Sequence, residues 1–335
     1  MLHQNDSYIL TRVNILASQL IDLNHWQAVV DTDLETLQTR YHFDASSASS
    51  QDIEKLLIDQ ALSDFQLLFR PFSGLQRDML NYAVHWYELA NLKVLIRGKF
   101  TGMSESTIHR ELIDLGQFAV LPLSRLLETD DPYEMLRLLE KTAYSNIVKQ
   151  ARTIFEEEGQ NLFALDSAID RHFFSGLMQR VRFLPLGDQQ QLTTVLGTMM
   201  DRLNLLWLIR YRFTYRLSPA KSYYLLATTG KKLHAGNLMQ LARVETVEEL
   251  IEQLPAPLSQ LLSQADSLTE IENRMEHYTL SATRTLLQYS TSGITRVFCY
   301  VLLRESEIHL LQSIIKGKML AFDEALIHQA IGMKK

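Results

Sequence analysis

The chain has 335 residues, of which 46% are hydrophobic and 21% are charged, a composition typical of a globular protein rather than a disordered or collagen-like one. Its 13 glycines and 7 prolines fall below the usual shares of about 7% and 5%, which argues against a turn-rich β fold. The formal net charge of −6 provides no general attraction for nucleic acid or for an anionic membrane surface, because both bind through excess positive charge.

The chain begins with MLHQNDSYIL, which lacks the basic start and the apolar run of a signal peptide. From there, apolar residues recur at three- and four-residue spacing along most of the sequence, which predicts amphipathic helices. Capping boxes are expected at three helix starts, at Thr32 with Glu35, Thr246 with Glu249 and Ser267 with Glu270. Period-two strand patterns do not appear, and no apolar stretch reaches the 18 or so residues of a membrane span. We therefore expect an all-α fold without a membrane span.

One pattern occurs three times without gaps, as ELANLKVLIRGK (residues 88–99), DRLNLLWLIRYR (residues 201–212) and EIHLLQSIIKGK (residues 307–318). Each copy starts with an acid, has leucine at its fifth position, and ends with two basic residues that flank one other residue. An N-cap is expected five or six residues later, at Ser104, Ser218 and Asp323. We call these segments repeats 1, 2 and 3.

The initial acids are 113 and 106 residues apart, a spacing too long for tetratricopeptide or HEAT arrays, whose units have about 34 to 47 residues. We predict three tandem helical domains, at residues 1–115, 116–230 and 231–335. Acids at the start and bases at the end of a helix also suit its dipole, so the repeated charges are open to a purely structural interpretation.

These residues resemble the C subunit of the bacterial and archaeal V-type (A-type) ATPases, a family related to the d subunit of the vacuolar enzyme. The resemblance extends to residues 8–22 and 304–332 and covers nearly the whole chain. It implies three similar domains that form a funnel around a pseudo-threefold axis, a socket between the membrane proteolipid ring and the soluble central stalk. It also implies a non-catalytic, cofactor-free protein that transmits torque, located in the cytoplasm and peripheral to the membrane through its complex.

Two positions depart from the repeated pattern. Repeat 2 has Tyr211 where the other copies have Gly98 and Gly317, and repeat 3 has Leu310 where the others have asparagine. The polar residues expected either to contact partners or to bridge helices are Glu88, Asn91, Arg97, Lys99, Asp201, Asn204, Arg210, Glu307 and Lys318. The sequence does not decide between these two roles.

The sequence contains none of the common catalytic motifs and so indicates no particular enzymatic reaction. The Gly-Lys pairs at residues 98–99, 230–231 and 317–318 lack the earlier glycine and the following Ser or Thr of a phosphate loop. We instead expect Gly98, Gly230 and Gly317 to end helices in the left-handed conformation. Histidines occur in no HExxH motif, so no metal site is expected. Cys299, the only cysteine, lies in an apolar segment and is expected to be a buried hydrophobe, which fits a reducing compartment.

Two other functions remain as alternatives. One is an unrelated α-helical scaffold that binds a helical partner in a groove. The other is an all-α hydrolase or metalloenzyme, which the motif searches disfavour. The choice between proton and sodium coupling is not determined by this sequence.

Overall fold

The structure is a computed structural model that describes residues 2–22, 25–46, 48–129, 131–142, 144–146, 148–149, 152–153 and 162–332. We number the helices of this part of the chain in order. They are α1 (Leu2–Ala17), α2 (Trp26–Asp31), α3 (Leu34–Tyr41), α4 (Ser50–Phe69), α5 (Gly74–Phe100), α6 (Glu105–Glu111), α7 (Leu123–Leu127), α8 (Pro132–Leu139), α9 (Leu162–Val181), α10 (Leu186–Ile209), α11 (Pro219–Leu225), α12 (Ala235–Leu241), α13 (Val247–Glu252), α14 (Leu258–Leu262), α15 (Leu268–Tyr289), α16 (Gly293–Met319) and α17 (Glu324–Ala330).

The all-α class is confirmed, because the structure is 75% helical and its described residues form no strand. Among these helices, none combines the length and the apolar character that a membrane crossing requires. The funnel of three domains stays a prediction. By its internal contacts the chain divides into two compact units, which we describe separately.

Unit 1 comprises the described residues within 1–77, 186–195 and 261–335. Its central helix is α16, which packs against α1, α3, α4, α15 and α17. Apolar residues such as Phe298 and Leu311 are buried along the whole length of α16, as expected for a helix surrounded by others. The ring of Tyr300 meets the ring of Phe65 on α4 edge to face, with 6.4 Å between the ring centres. Cys299 is fully buried there, as predicted.

Unit 2 comprises the described residues within 78–185 and 196–260. Aromatic rings join α5 to α9. The rings of Tyr82 and Phe173 stack with 5.3 Å between their centres, and the ring centres of Trp86 and Phe174 are 5.5 Å apart. Further along the same two helices, Lys93 forms an ion pair with Asp170. The long helix of repeat 1 is thus packed against α9 by large apolar contacts, with charges placed beside them.

The predicted helix starts are mostly confirmed. Ser104, Ser218 and Asp323 each accept the backbone N–H three residues ahead, at 3.3, 3.3 and 2.7 Å, and thereby cap α6, α11 and α17. Thr246 and Ser267 cap α13 and α15 in the same way. The reciprocal half of the predicted capping boxes differs, because Glu249 accepts the N–H of Glu245 and Glu270 accepts that of Asp266, one residue before each N-cap. The prediction at Thr32 is wrong by one residue, because Asp33 caps α3 by accepting the N–H of Thr36 at 2.8 Å.

The predicted left-handed helix end at Gly230 is wrong, because this glycine lies in the connection after α11 and has no positive φ. The predicted left-handed ends at Gly98 and Gly317 are also wrong, because both glycines lie inside helices and have no positive φ. Their role is close packing. A Cβ on Gly98 would lie 2.6 Å from Cγ1 of Ile108, and one on Gly317 would lie 2.7 Å from Cγ1 of Ile327. Only a residue without a side chain lets the following short helix pack this closely.

The left-handed residues lie further on, two positions before each N-cap. They are Gly102, Arg216 and Ala321, with φ of 70°, 54° and 54°. Repeat 2 needs one more residue to reach this point, and its long helix continues as a π-helical turn from Arg210 to Thr214. This turn accommodates the buried Tyr211 in place of glycine and explains why the N-cap spacing of repeat 2 differs.

Candidate functional site

The acid of repeat 1, Glu88, is 1% exposed and binds the main chain. Its Oε1 accepts the backbone N–H groups of Val120 and Leu121, each at 2.5 Å, and its Oε2 accepts the hydroxyl of Tyr144. Burial and the neighbouring carboxylate raise the pKa of Tyr144, which keeps its hydroxyl protonated as a donor. Glu88 therefore fastens α5 to the segment that precedes α7.

The acid of repeat 2 makes the same kind of contact. Asp201 is fully buried and accepts the backbone N–H of Lys232 at 2.9 Å and that of Leu233 at 2.8 Å. Gly230 allows this approach, because a Cβ there would lie 2.5 Å from Oδ1 of Asp201. Burial raises the pKa of Asp201, and the backbone N–H groups oppose that shift.

The acid of repeat 3 binds a segment from the other end of the sequence. Glu307 is 4% exposed, and its Oε1 accepts the backbone N–H of Ile21 at 2.7 Å. Its Oε2 forms an ion pair with Arg304, whose guanidinium lies one turn earlier on α16. Arg284 on α15 donates to the carbonyl of Ile21 at 2.9 Å, so both backbone groups of Ile21 are held.

The asparagines three residues after the first two acids act as backbone substitutes. Asn91 donates to the carbonyl of Ile113 at 2.7 Å and accepts its N–H at 2.8 Å. Asn204 binds both backbone groups of Ala227 in the same way, at 2.7 and 2.9 Å. Repeat 3 has Leu310 at the equivalent position, where it lines a small cavity together with Trp26.

The last base of each repeat binds backbone carbonyls. Lys99 donates to the carbonyls of Leu127 and Thr129, each at 2.5 Å, and Lys318 donates to that of Val30 at 2.6 Å. The corresponding residue in repeat 2 is Arg212, which was not among the predicted positions. It donates to Leu217 at 2.7 Å and to Val244 at 3.2 Å.

The two other predicted basic residues, Arg97 and Arg210, contact side chains of α9 rather than backbone carbonyls. Arg97 is partly exposed and forms an ion pair with Asp166 on α9 at 2.8 Å. Arg210 lies over the ring of Phe163, with its guanidinium carbon 5.5 Å from the ring centre. Both contacts join the long helix of a repeat to α9, within unit 2.

The sequence model of the ATP synthase (C/AC39) subunit family matches residues 9–330. The chain belongs to this family. The C subunit of the A-type ATP synthase of Methanococcoides burtonii is 22% identical, over 98% of this chain and 94% of its own. The same protein of Methanosarcina mazei is 24% identical (96% and 91%), and that of Haloferax volcanii is 25% identical (95% of each chain). The resemblance inferred from the repeated motifs is confirmed.

In this C/AC39 chain, the predicted polar positions bridge helices and segments within their own unit. The three acids are buried and accept hydrogen bonds from backbone N–H groups, so they fix the main chain of the segments that they contact. Within the ranges that the structure describes, no three His, Cys, Asp or Glu side chains come together as a metal site.

The sequence did not identify four side chains that take part in these contacts, namely Tyr144, Arg212, Arg284 and Arg304. Arg212 occupies the final base of the repeated pattern, so the alignment with Lys99 and Lys318 could have identified it. Tyr144, Arg284 and Arg304 lie outside the aligned segments, and no local signal marks their partners.

Proposed function

We propose that this chain is the non-catalytic socket protein of an A/V-type rotary ATPase. It would connect the soluble central stalk to the membrane proteolipid ring and so couple ATP turnover to proton or sodium transport. The observation that carries this proposal is the family match over residues 9–330, together with relatives named as the C subunit of A-type ATP synthases that align along nearly their whole length. In this role the chain binds other proteins, requires no cofactor or nucleic acid, and meets the membrane from the cytoplasm through the ring.

The buried contacts support a role in transmitting torque, which requires a stiff connector. In each repeat the acid and the last base are 11 residues apart, about 16 Å along the helix axis. Each long helix is therefore held at two separated points by charged groups that bind the main chain. Removing one partner of such a buried contact costs several kcal/mol, so a load along the helix meets strong resistance.

We also retain the three-repeat organisation, at residues 1–115, 116–230 and 231–335, as part of this proposal. Repeated N-caps, left-handed turns and the acid contacts of repeats 1 and 2 support it, whereas the acid of repeat 3 binds Ile21 in the first of these ranges. Membership of the C/AC39 family removes the support for an unrelated scaffold, and no contact of the described residues favours a hydrolase or a metalloenzyme.

The test is removal of the chain from its native host. Inverted membrane vesicles from the deletion strain should lose ATP-driven ion uptake, and their ATPase activity should appear in the low-salt wash. Uptake is measured with both a pH-sensitive dye and radioactive sodium, so that either coupled ion is detected. Expression of the wild-type chain from a plasmid should restore uptake. Full ATP-driven uptake in the deletion strain would refute the proposal.

A further inference from the structure

A small cavity lies in unit 1 where repeat 3 meets the N-terminal segment. Its walls come from α15, from α16 and from the N-terminal segment, and they include the acid Glu307 and its backbone partner Ile21. The space open to the centre of a water-sized sphere is about 10 Å³, at the lower end of the roughly 10–15 Å³ that one water molecule requires. The cavity therefore has room for one water molecule and is too small for an organic ligand.

Ser306 on α16 contributes a hydroxyl group to the wall of this cavity. Its Oγ is buried and has no hydrogen-bond partner among the described residues. A hydroxyl inside a helix can donate to the carbonyl four residues earlier, as those of Thr279 and Thr283 do on α15 at 2.9 and 2.8 Å. Ser306 makes no such bond within the described part of the chain. Because a buried hydroxyl without a partner is costly, its position on the cavity wall indicates a ligand inside the cavity.

Two charged residues line the same cavity. Arg284 uses its terminal nitrogens for Asp22 and for the carbonyl of Ile21, whereas its Nε is buried and has no partner among the residues that the structure describes. Glu307 accepts the N–H of Ile21 on Oε1 and the guanidinium of Arg304 on Oε2, and each carboxylate oxygen retains a second lone pair. The walls thus provide an N–H donor, a carboxylate acceptor and a hydroxyl that can act as either.

Repeats 1 and 2 have an amide side chain at the corresponding position. Asn91 and Asn204 each bind both backbone groups of one residue in the segment that their long helix holds. Leu310 occupies this position in repeat 3, and its side chain, which lines the cavity, forms no hydrogen bond. Repeat 3 therefore lacks the amide bridge, and the cavity lies beside the residue that replaces it.

We propose that this cavity binds one structural water molecule, which accepts a hydrogen bond from Nε of Arg284 and joins Oγ of Ser306 to the carboxylate of Glu307. Three polar partners match the number that a buried water molecule commonly has. The water completes the attachment of the N-terminal segment to repeat 3, where repeats 1 and 2 use asparagine. The inference concerns unit 1 alone and goes beyond the proposed function, because it requires no role in an ATPase.

The charges around the cavity favour a neutral ligand over an ion. The guanidinium of Arg284 pairs with Asp22, and that of Arg304 pairs with Glu307, so these groups leave no unbalanced charge for an anion or a cation. The remaining walls are largely apolar and include the buried Trp26. An ion in such a site would lose its hydration without gaining a counter-charge, whereas water needs only hydrogen bonds.

An X-ray structure of the full-length chain, at a resolution that shows ordered water, tests the site directly. One density peak should lie within about 3.2 Å of Ser306 Oγ, of Arg284 Nε and of a carboxylate oxygen of Glu307. A dry cavity would overturn the proposal. So would a Ser306 hydroxyl that donates to the carbonyl of Leu302 instead. This measurement uses the wild-type chain and decides the question even if a variant fails to fold.

The variant Ser306→Ala removes the hydroxyl, and the control Ser281→Ala makes the same change at an exposed position of α15. Both variants gain the same helix propensity, so their difference reports the buried hydroxyl. In urea titration, the unfolding equilibrium constant of Ser306→Ala should be about fivefold above that of the control, because a hydrogen bond to the bound water is lost. Without a bound water the change would remove an unsatisfied hydroxyl, and an unfolding constant equal to or below that of the control would overturn the proposal.

Hydrogen exchange followed by mass spectrometry tests the attachment of the N-terminal segment. The peptide that contains Ile21 should exchange faster in Ser306→Ala than in Ser281→Ala, because the water holds two of the groups that bind this residue. Equal exchange in the two variants would overturn the role of the water in holding the segment.

Discussion

Asp201→Ala is the most direct perturbation of the buried acid contacts. It removes the carboxylate that holds the N–H groups of Lys232 and Leu233, and the fully buried site leaves little access for water. An unsatisfied buried donor costs about 1–3 kcal/mol, which gives roughly 2–6 kcal/mol for two. Relief from burying the charge, which raises the pKa of Asp201, offsets part of this cost. We expect a net loss of about 3 kcal/mol.

The loss is measured by urea unfolding followed with far-ultraviolet circular dichroism. In thermal melting the same loss should lower the melting temperature by roughly 6–12 °C, because a unit of this size changes by about 2–4 °C per kcal/mol. Asp201→Asn should lose less, because its amide oxygen still accepts one N–H. The matched control is Asp59→Ala, an exposed position within α4, which should change stability by less than about 0.5 kcal/mol. Equal stabilities of Asp201→Ala and Asp59→Ala would refute the anchoring role.

Three further predictions concern other buried groups. Gly317→Ala should lower the free energy of unfolding by about 1–3 kcal/mol, because the added Cβ would press on Ile327. Adding Ile327→Ala should relieve part of that loss, whereas the control Gly187→Ala, which has no close neighbour, should be neutral. Strictly additive effects of Gly317→Ala and Ile327→Ala would contradict the prediction. Cys299, whose pKa burial raises to about 12, should resist iodoacetamide at pH 8 by mass spectrometry until denaturant is added; rapid labelling of the folded chain would show the site to be accessible. Burial lowers the pKa of His85, so its contribution to stability is present above the unfolded pKa of about 6.5 and is lost as the pH falls towards the folded pKa. The urea midpoints at pH 7.5 and 5.5 should therefore differ less in His85→Gln than in the wild type. An unchanged difference would exclude His85 as a source of the pH dependence.

The helices and the repeated motif could be predicted because their signals are local. A 3.6-residue period, an N-cap and its N3 partner all lie within a few residues, as at Ser104 and Asp323. The Thr32 prediction failed by one position because Asp33 offers a better acceptor in the same local pattern. Boundaries of this kind depend on competition between adjacent residues, which periodicity does not resolve.

The role of the repeated acids could not be predicted in the same way. Glu88 and Asp201 find their backbone partners 31 to 33 residues further along, in irregular segments that have no periodic signature. The glycine positions show a similar limit. The sequence around Gly98 suggests a helix end, and only the position of Ile108 shows that the missing Cβ serves close packing instead. The roles of the acids and of the glycines are both set by contacts between residues that are distant in the sequence.

Repeat 3 shows how the same arrangement is completed by a different part of the chain. In repeats 1 and 2 the long helix is fastened to the segment that follows it. In repeat 3 the corresponding segment precedes repeat 1, because Glu307 binds Ile21 across 286 residues and Lys318 binds Val30 across 288. Ile21 and Val30 thus serve α16 as Leu121 and Leu127 serve α5. A structural repeat is therefore a long helix together with its fastened segment, and the third repeat depends on the N-terminal segment for its stability.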